Sequence, residues 1–452
     1  MLDWRSQKML LAAGALSLIA AFSPGAAAQQ THDAPAASTQ PSAAAKPEPA
    51  QAAHLRVVED KGKFIALEIA TREYRRADAA GPTIGLVGVA HIADKSFYRA
   101  VEKALKEYDI VLYESVKPPG TGGAGGETDE QRIDSTKAAM QFVGGLIEAH
   151  HAQRDTYPHD IGELEKFAAE QDQRAVQFLA IAVKDAWGRS LVYDVHAASG
   201  EAAAETYTLT SLGADGMPGG EGANADLALA DHHPPDPLIL SKDDGLQGQL
   251  ASALGLEFQL DALPYDQANW RCSDMAMDEL NRRFAAKGLD FDMIGGTLAG
   301  SSMPARVIKI LLGFMKMADA FAEGAITDMF KVVLIEMLGD PAVLDQGLAQ
   351  FGAGFSEVIV EDRNQVVIDD LKRVIEQEPQ VRSIAILYGA AHMPDMARRL
   401  ADQLDYQPGD ESQDRWLTAI KVDLRNSKLS AADLNAVRAT MKQAMRQQLR
   451  RR

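Results

Sequence analysis

A mixed α/β fold, built around a central and largely parallel sheet with helices on it, follows from three observations in the 452-residue sequence. Two short apolar runs, Thr83-Ile84-Gly85-Leu86-Val87 and Ile384-Ala385-Ile386-Leu387-Tyr388, have the continuous hydrophobicity of strands covered on both faces. Each run enters a similar seven-residue phrase, Gly88-Val89-Ala90-His91-Ile92-Ala93-Asp94 and Gly389-Ala390-Ala391-His392-Met393-Pro394-Asp395, and each phrase leads into helical periodicity. Between them lies a stretch of different character, a small α+β insert.

The N-terminus combines Arg5 and Lys8 with an apolar run from Met9 to Phe22 and then Ala26-Ala27-Ala28. This pattern predicts a signal peptide over 1–28 and a periplasmic or secreted product, with an uncleaved inner-membrane anchor as the alternative. Residues 29–53, rich in Ala, Pro, Gln, Ser and Thr, lack the large apolar side chains that a folded core needs. The core is expected over 54–117 and 240–425, the insert over 130–235 and a basic C-terminal helix over 426–452. A net charge of −18 with no basic cluster in the body excludes a nucleic-acid surface. The single cysteine, Cys272, excludes an intrachain disulfide.

In the core, Leu55–Val58 and Phe64–Ile69 flank Asp60-Lys61-Gly62 as a β-hairpin leading into the first phrase strand. Asp94 is placed to N-cap a helix carrying Phe97, Val101, Leu105 and Tyr108. Ile110-Val111-Leu112-Tyr113 is a second buried strand ending in Glu114, which a crossover would bring beside His91. Further on, the sequence predicts a strand near Phe258-Gln259-Leu260 and a helix from Met275 to Ala286. Two apolar helices follow near 304–323 and 325–338. A strand at Val358-Ile359-Val360 is then followed by a helix that opens with Glu361-Asp362-Arg363-Asn364. The last helix sets Leu434, Val437 and Met441 against Lys442, Arg446 and Arg450; such a face either rests on anionic lipid or docks on the protein.

Strand carboxyl ends are where open α/β sheets bind ligands. His91, His392 and Glu114 therefore form a candidate centre for a divalent metal, Mn, Co or Zn, with Glu114 as ligand or general base. The simpler reading of Glu114 is a surface carboxylate that ends a strand. Arg363 and Asn364, at a helix opening, are placed to hold an oxyanion; equally, Arg363 pairs with a buried acid. No His-Glu-x-x-His or Walker loop occurs, and Gly300-Ser301-Ser302-Met303-Pro304 lacks the closing glycine of a nucleophile elbow.

These motifs, in this order, resemble the TraB/TIKI family over most of residues 54–404 outside the insert. The resemblance implies a metal-dependent protease acting on a peptide or protein substrate, with His91, Glu114 and His392 as its metal site. The segment Asn269-Trp270-Arg271-Cys272-Ser273-Asp274-Met275 is similar to a further family phrase in which a histidine is expected at the cysteine. Cys272 would then ligate as a thiolate or mark altered activity. The insert resembles the C-terminal domain of the type II secretion major pseudopilin, through Tyr157-Pro158, Asp185-Ala186-Trp187-Gly188, Tyr193 and the glycine-rich loop from Ser211 to Asp226. That resemblance implies a helix from about Ile133 to His151, a small antiparallel sheet, and calcium held by Asp215 and Asp226, with Ser211 and Glu221 as further candidates. A metal-free Asp/Gly turn is the alternative. A non-catalytic binding protein with a calcium-stabilised interaction module is the other functional reading.

Overall fold

The computed structural model describes residues 54–78, 80–196, 206–231, 235–238, 246–289, 324–340 and 354–449. The expected signal peptide and linker, and the apolar helix expected near 304–323, lie outside these residues.

The hairpin joins β1 (Leu55–Asp60) to β2 (Phe64–Arg76), with Gly62 at φ +75° in the turn. β3 (Thr83–Val89) pairs antiparallel with β2. A two-residue β4 (Ile92–Ala93) and the Lys95–Leu105 helix then lead to β5 (Ile110–Tyr113). The insert contributes β6 (Val192–His196), β7 (Thr206–Ser211) and β8 (Leu227–Ala228), which form a small antiparallel sheet. The core resumes with β9 (Glu257–Phe258), β10 (Trp270–Cys272) and β11 (Ser383–Gly389), and continues to β12 (Tyr406–Pro408) and β13 (Arg415–Asp423).

The main sheet runs β1-β2-β3-β11-β5-β10, with β12 and β13 also on the long β2. β3, β11, β5 and β10 are mutually parallel, and the strands around β2 are antiparallel. One face of the parallel part is covered by Phe97, Tyr98, Val101 and Leu105 together with Val332, Val333 and Ile335 of the Ala325–Leu338 helix. The other is covered by Val367, Ile368 and Leu371 of the Arg363–Gln377 helix and by Met393, Met396 and Leu400 of the Met393–Leu404 helix. Burial on both faces is the reason these strands read as unbroken apolar runs. β3 connects to β5 over the first face, whereas β11 connects toward β12 over the second. The connections diverge at the carboxyl ends of β3, β11 and β5, the kind of switch point where open α/β sheets place their ligand crevice.

Several expectations are corrected. Val358-Ile359-Val360 is not a strand: Glu357–Asp362 forms a wide π-type turn that continues into the Arg363–Gln377 helix. The slot beside β5 is filled by β10, and Val358 packs against Met275, Leu280, Phe284 and Phe355 instead. Near 258–260 only Glu257–Phe258 is extended, paired with β4, and Gln259–Ala262 turns into a helix. Asp94 sits at the helix N-cap without capping it; its carboxylate accepts from Lys421 N of β13 at 2.9 Å. Strands β10, β12 and β13 were not legible in the sequence.

The insert has its own core. Thr128 caps the Asp129–Arg154 helix, whose Met140, Val143, Leu146 and Ile147 pack on Leu164, Phe167 and Leu179. Those partners belong to the Ile161–Gln171 and Gln173–Ala182 helices. At the chain's end, Leu434 and Val437 of the Ala431–Leu449 helix are buried in the core, and Arg438 pairs with Glu336 and Glu59. Among the described residues, no helix is long and apolar enough to cross a membrane.

Candidate functional site

The two histidine phrases are delivered by neighbouring parallel strands, but one residue out of step. Gly88 pairs with Tyr388, and Gly389 with Val89. The glycines therefore do different jobs. A Cβ on Gly88 would strike Ile69 Cγ2 at 2.8 Å, whereas one on Gly389 would come within 3.2 Å of Glu114 Oε2. The missing side chain at 389 thus admits the Glu114 carboxylate, which accepts from Gly389 N at 2.6 Å.

β11 separates β3 from β5, so Glu114 lies beside His392 rather than directly beside His91. His392 is 5% exposed, with Nε2 3.6 Å from Glu114 Oε1. Its Nδ1 lies 2.8 Å from Oδ1 of the fully buried Asn364. Asn364 Nδ2 faces two acceptors, Asp395 Oδ2 at 2.9 Å and His392 O at 3.2 Å, which fixes the orientation of the amide. Asn364 Oδ1 must therefore accept from Nδ1–H, leaving the lone pair of the neutral ring on Nε2, toward Glu114. Burial pushes His392 down to about 4, against the opposing pull of Glu114. The ring is neutral at physiological pH.

Arg363 is buried between two carboxylates. Its Nε and Nη2 donate to Asp274 at 2.9 and 2.7 Å, and Nη2 also donates to Glu114 Oε1 at 2.8 Å. A wide helical turn just before Arg363 is a recurrent feature of functional helices. Of the two sequence readings, pairing with a buried acid is the one seen. Arg363 lies in a continuous helical path rather than at a helix opening, and its donors are engaged inside the protein. Burial raises Glu114, but Arg363 foremost, with the surrounding donors, outweighs burial and holds the carboxyl at about 2. A carboxylate so acidic is a poor proton acceptor near neutrality; its chemistry is ligation or charge compensation. Asp274 is the residue that sequence reasoning missed. It stood in the quoted 269–275 phrase without a role, and only the pairing of β10 with β5 brings it to Arg363.

His91 is exposed on the rim, its carbonyl held by Gln259 N at 2.8 Å. Its ring lies within electrostatic reach of both Glu114 and His392. The donor chemistry fits a divalent ion at His392 Nε2 and Glu114. Among the described residues, however, no three His, Cys, Asp or Glu side chains converge to hold one. The surroundings of Cys272 favour the thiol over the thiolate. Burial pushes its thiol up to about 12, and Sγ–H donates to Ser115 O at 3.1 Å. In the insert, Asp215 accepts from Met217 N at 3.0 Å and Asp226 from Gly219 N at 2.9 Å, both exposed and each tying its own loop. Ser211, fully buried, donates to Asp185 instead.

Residues 124–230 match the family model for type II secretion system (T2SS), protein G. The match covers the insert and none of the surrounding core. No curated protein and no solved structure matches the chain.

Proposed function

We propose that the protein is an exported hydrolase of peptide bonds, of TraB/TIKI type, whose centre is His392, Glu114, Arg363 and Asn364 with His91 at its rim. The observation that carries this reading is the single tautomer imposed on buried His392, with Nε2 presented to an ionised carboxylate. Orienting hydrogen bonds of this kind accompany ligating histidines. His392 and Glu114 would hold a divalent ion, Mn, Co or Zn, with His91 as the candidate third donor; the ion would supply Lewis acidity toward a carbonyl. Arg363 keeps Glu114 ionised and aimed, and Asn364 keeps the His392 proton on Nδ1. Export is supported by the protein G-like module and by the sequence of residues 1–28.

A peptide library incubated with the purified chain, with and without Mn²⁺, Co²⁺ or Zn²⁺, tests the proposal alongside calorimetric metal titration. Metal-dependent cleavage and uptake of one ion per chain are expected, both abolished by His392→Ala. Absence of cleavage under every condition sinks it. The second reading, a non-catalytic binding protein with a calcium-stabilised module, is favoured by the exposed position of His91. Calcium titration checks that part, with Asp215→Ala and Asp226→Ala expected to lose binding.

A further inference from the structure

We propose that the protein G-like module acts as a surrogate edge strand for the core sheet, with Gln177 as a positioning residue for the segment that carries Asp274. Among the described residues, β10 has a strand neighbour, β5, on one side only. Toward β5 it uses Asn269 O and Ser273 N. The alternate groups, Trp270 O and Cys272 N, point the other way, and bare edges of this kind invite pairing with another chain. Gln177, on the Gln173–Ala182 helix, closes that edge. Its Nε2 donates to Trp270 O at 3.1 Å, and its Oε1 accepts from Cys272 N at 3.1 Å.

A parallel neighbour strand engages the carbonyl of one residue and the N–H of the residue two further on. One side-chain amide here makes both bonds that a single residue of such a strand would make. The seam is also packed: the Cys272 side chain touches both the core cluster and the module's own cluster, and the Arg174 guanidinium lies 5.9 Å from the Tyr265 ring centroid. Two residues beyond Cys272, Asp274 binds Arg363 and accepts from Met275 N at 2.7 Å. The module's helix is therefore one short step along β10 from the clamp on Glu114. Only the importance of that clamp for turnover rests on the hydrolase reading.

Cys272 is the sole cysteine, so it reports on the seam in the full-length chain. Labelling by Ellman's reagent should be at least about tenfold faster in Gln177→Ala, and intermediate in Gln177→Glu, which keeps the acceptor and loses the donor. Tyr193→Phe, which breaks a bond to Pro158 O inside the module, should label like the wild type. Amide exchange should accelerate at Cys272 and at Met275 in Gln177→Ala. Wild-type labelling in Gln177→Ala overturns the edge role; should that variant fail to fold, wild-type labelling in Gln177→Glu does the same. Faster labelling with an unchanged Met275 amide overturns the positioning role. Neither readout involves catalysis, so an inactive wild type would count against the hydrolase reading alone.

Discussion

Asp274 and Glu114 share one guanidinium, and that arrangement sets the energetics of the crevice at the level of single residues. Removing one partner of a buried ion cluster leaves charge without compensation, which costs about 3–5 kcal/mol. Asp274→Ala should therefore lower stability by roughly 3 kcal/mol in urea denaturation; a loss under about 1 kcal/mol, the scale of exposed pairs, would show that the clamp contributes little. His54 offers a test by pH. It is buried with Nδ1 unpartnered among the described residues, and burial first, then the Arg72 charge, pushes it from 6.5 to about 4. The unfolded chain takes up a proton near 6.5 that the folded chain refuses until about 4. The contribution of this group is complete above 6.5 and is lost as pH falls through that window, by at most about 1.4 kcal/mol per pH unit. His392 shifts in the same direction, so the readout is the difference between wild type and His54→Gln. The variant should lose less stability between pH 6.5 and 4; parallel losses would refute the assignment.

Among the elements, the Lys95–Leu105 helix shows a local signal redirected by its tertiary neighbours. Asp followed by a helical pattern reads as a cap. In the structure, the backbone N–H of Asp94 donates to Ala419 O at 2.8 Å and its carboxylate accepts from Lys421 N, so the residue ties the helix start to β13. Asp94→Ala should cost about 1 kcal/mol and accelerate amide exchange at Lys421, leaving the helix amides protected as before. Fraying of the helix start instead would restore the capping role. Val358-Ile359-Val360 failed as a strand for a related reason: β-branched residues fit a strand or a buried helical turn, and periodicity does not separate the two in so short a run. The Ala325–Leu338 and 277–286 helices, longer and more regular, were legible nearly to the residue.

For the molecule as a whole, the sequence by itself determined the α/β class, the parallel strands β3, β5 and β11, and the likeness of the insert to secretion protein G. It did so because two-sided burial, glycine-bounded phrases and turn residues are local properties, written in consecutive positions. It also placed His392, Glu114, Arg363 and Asn364 among the candidates. Tertiary structure alone decided how they meet. The order β3-β11-β5 puts Glu114 beside His392 and leaves His91 at the rim, and the one-residue stagger gives the two glycines different neighbours. It also recruits Asp274 through β10 and closes that strand's edge with Gln177. Strand order and register arise from side chains far apart in the chain that bury the same surface together, and no window of consecutive residues records that competition.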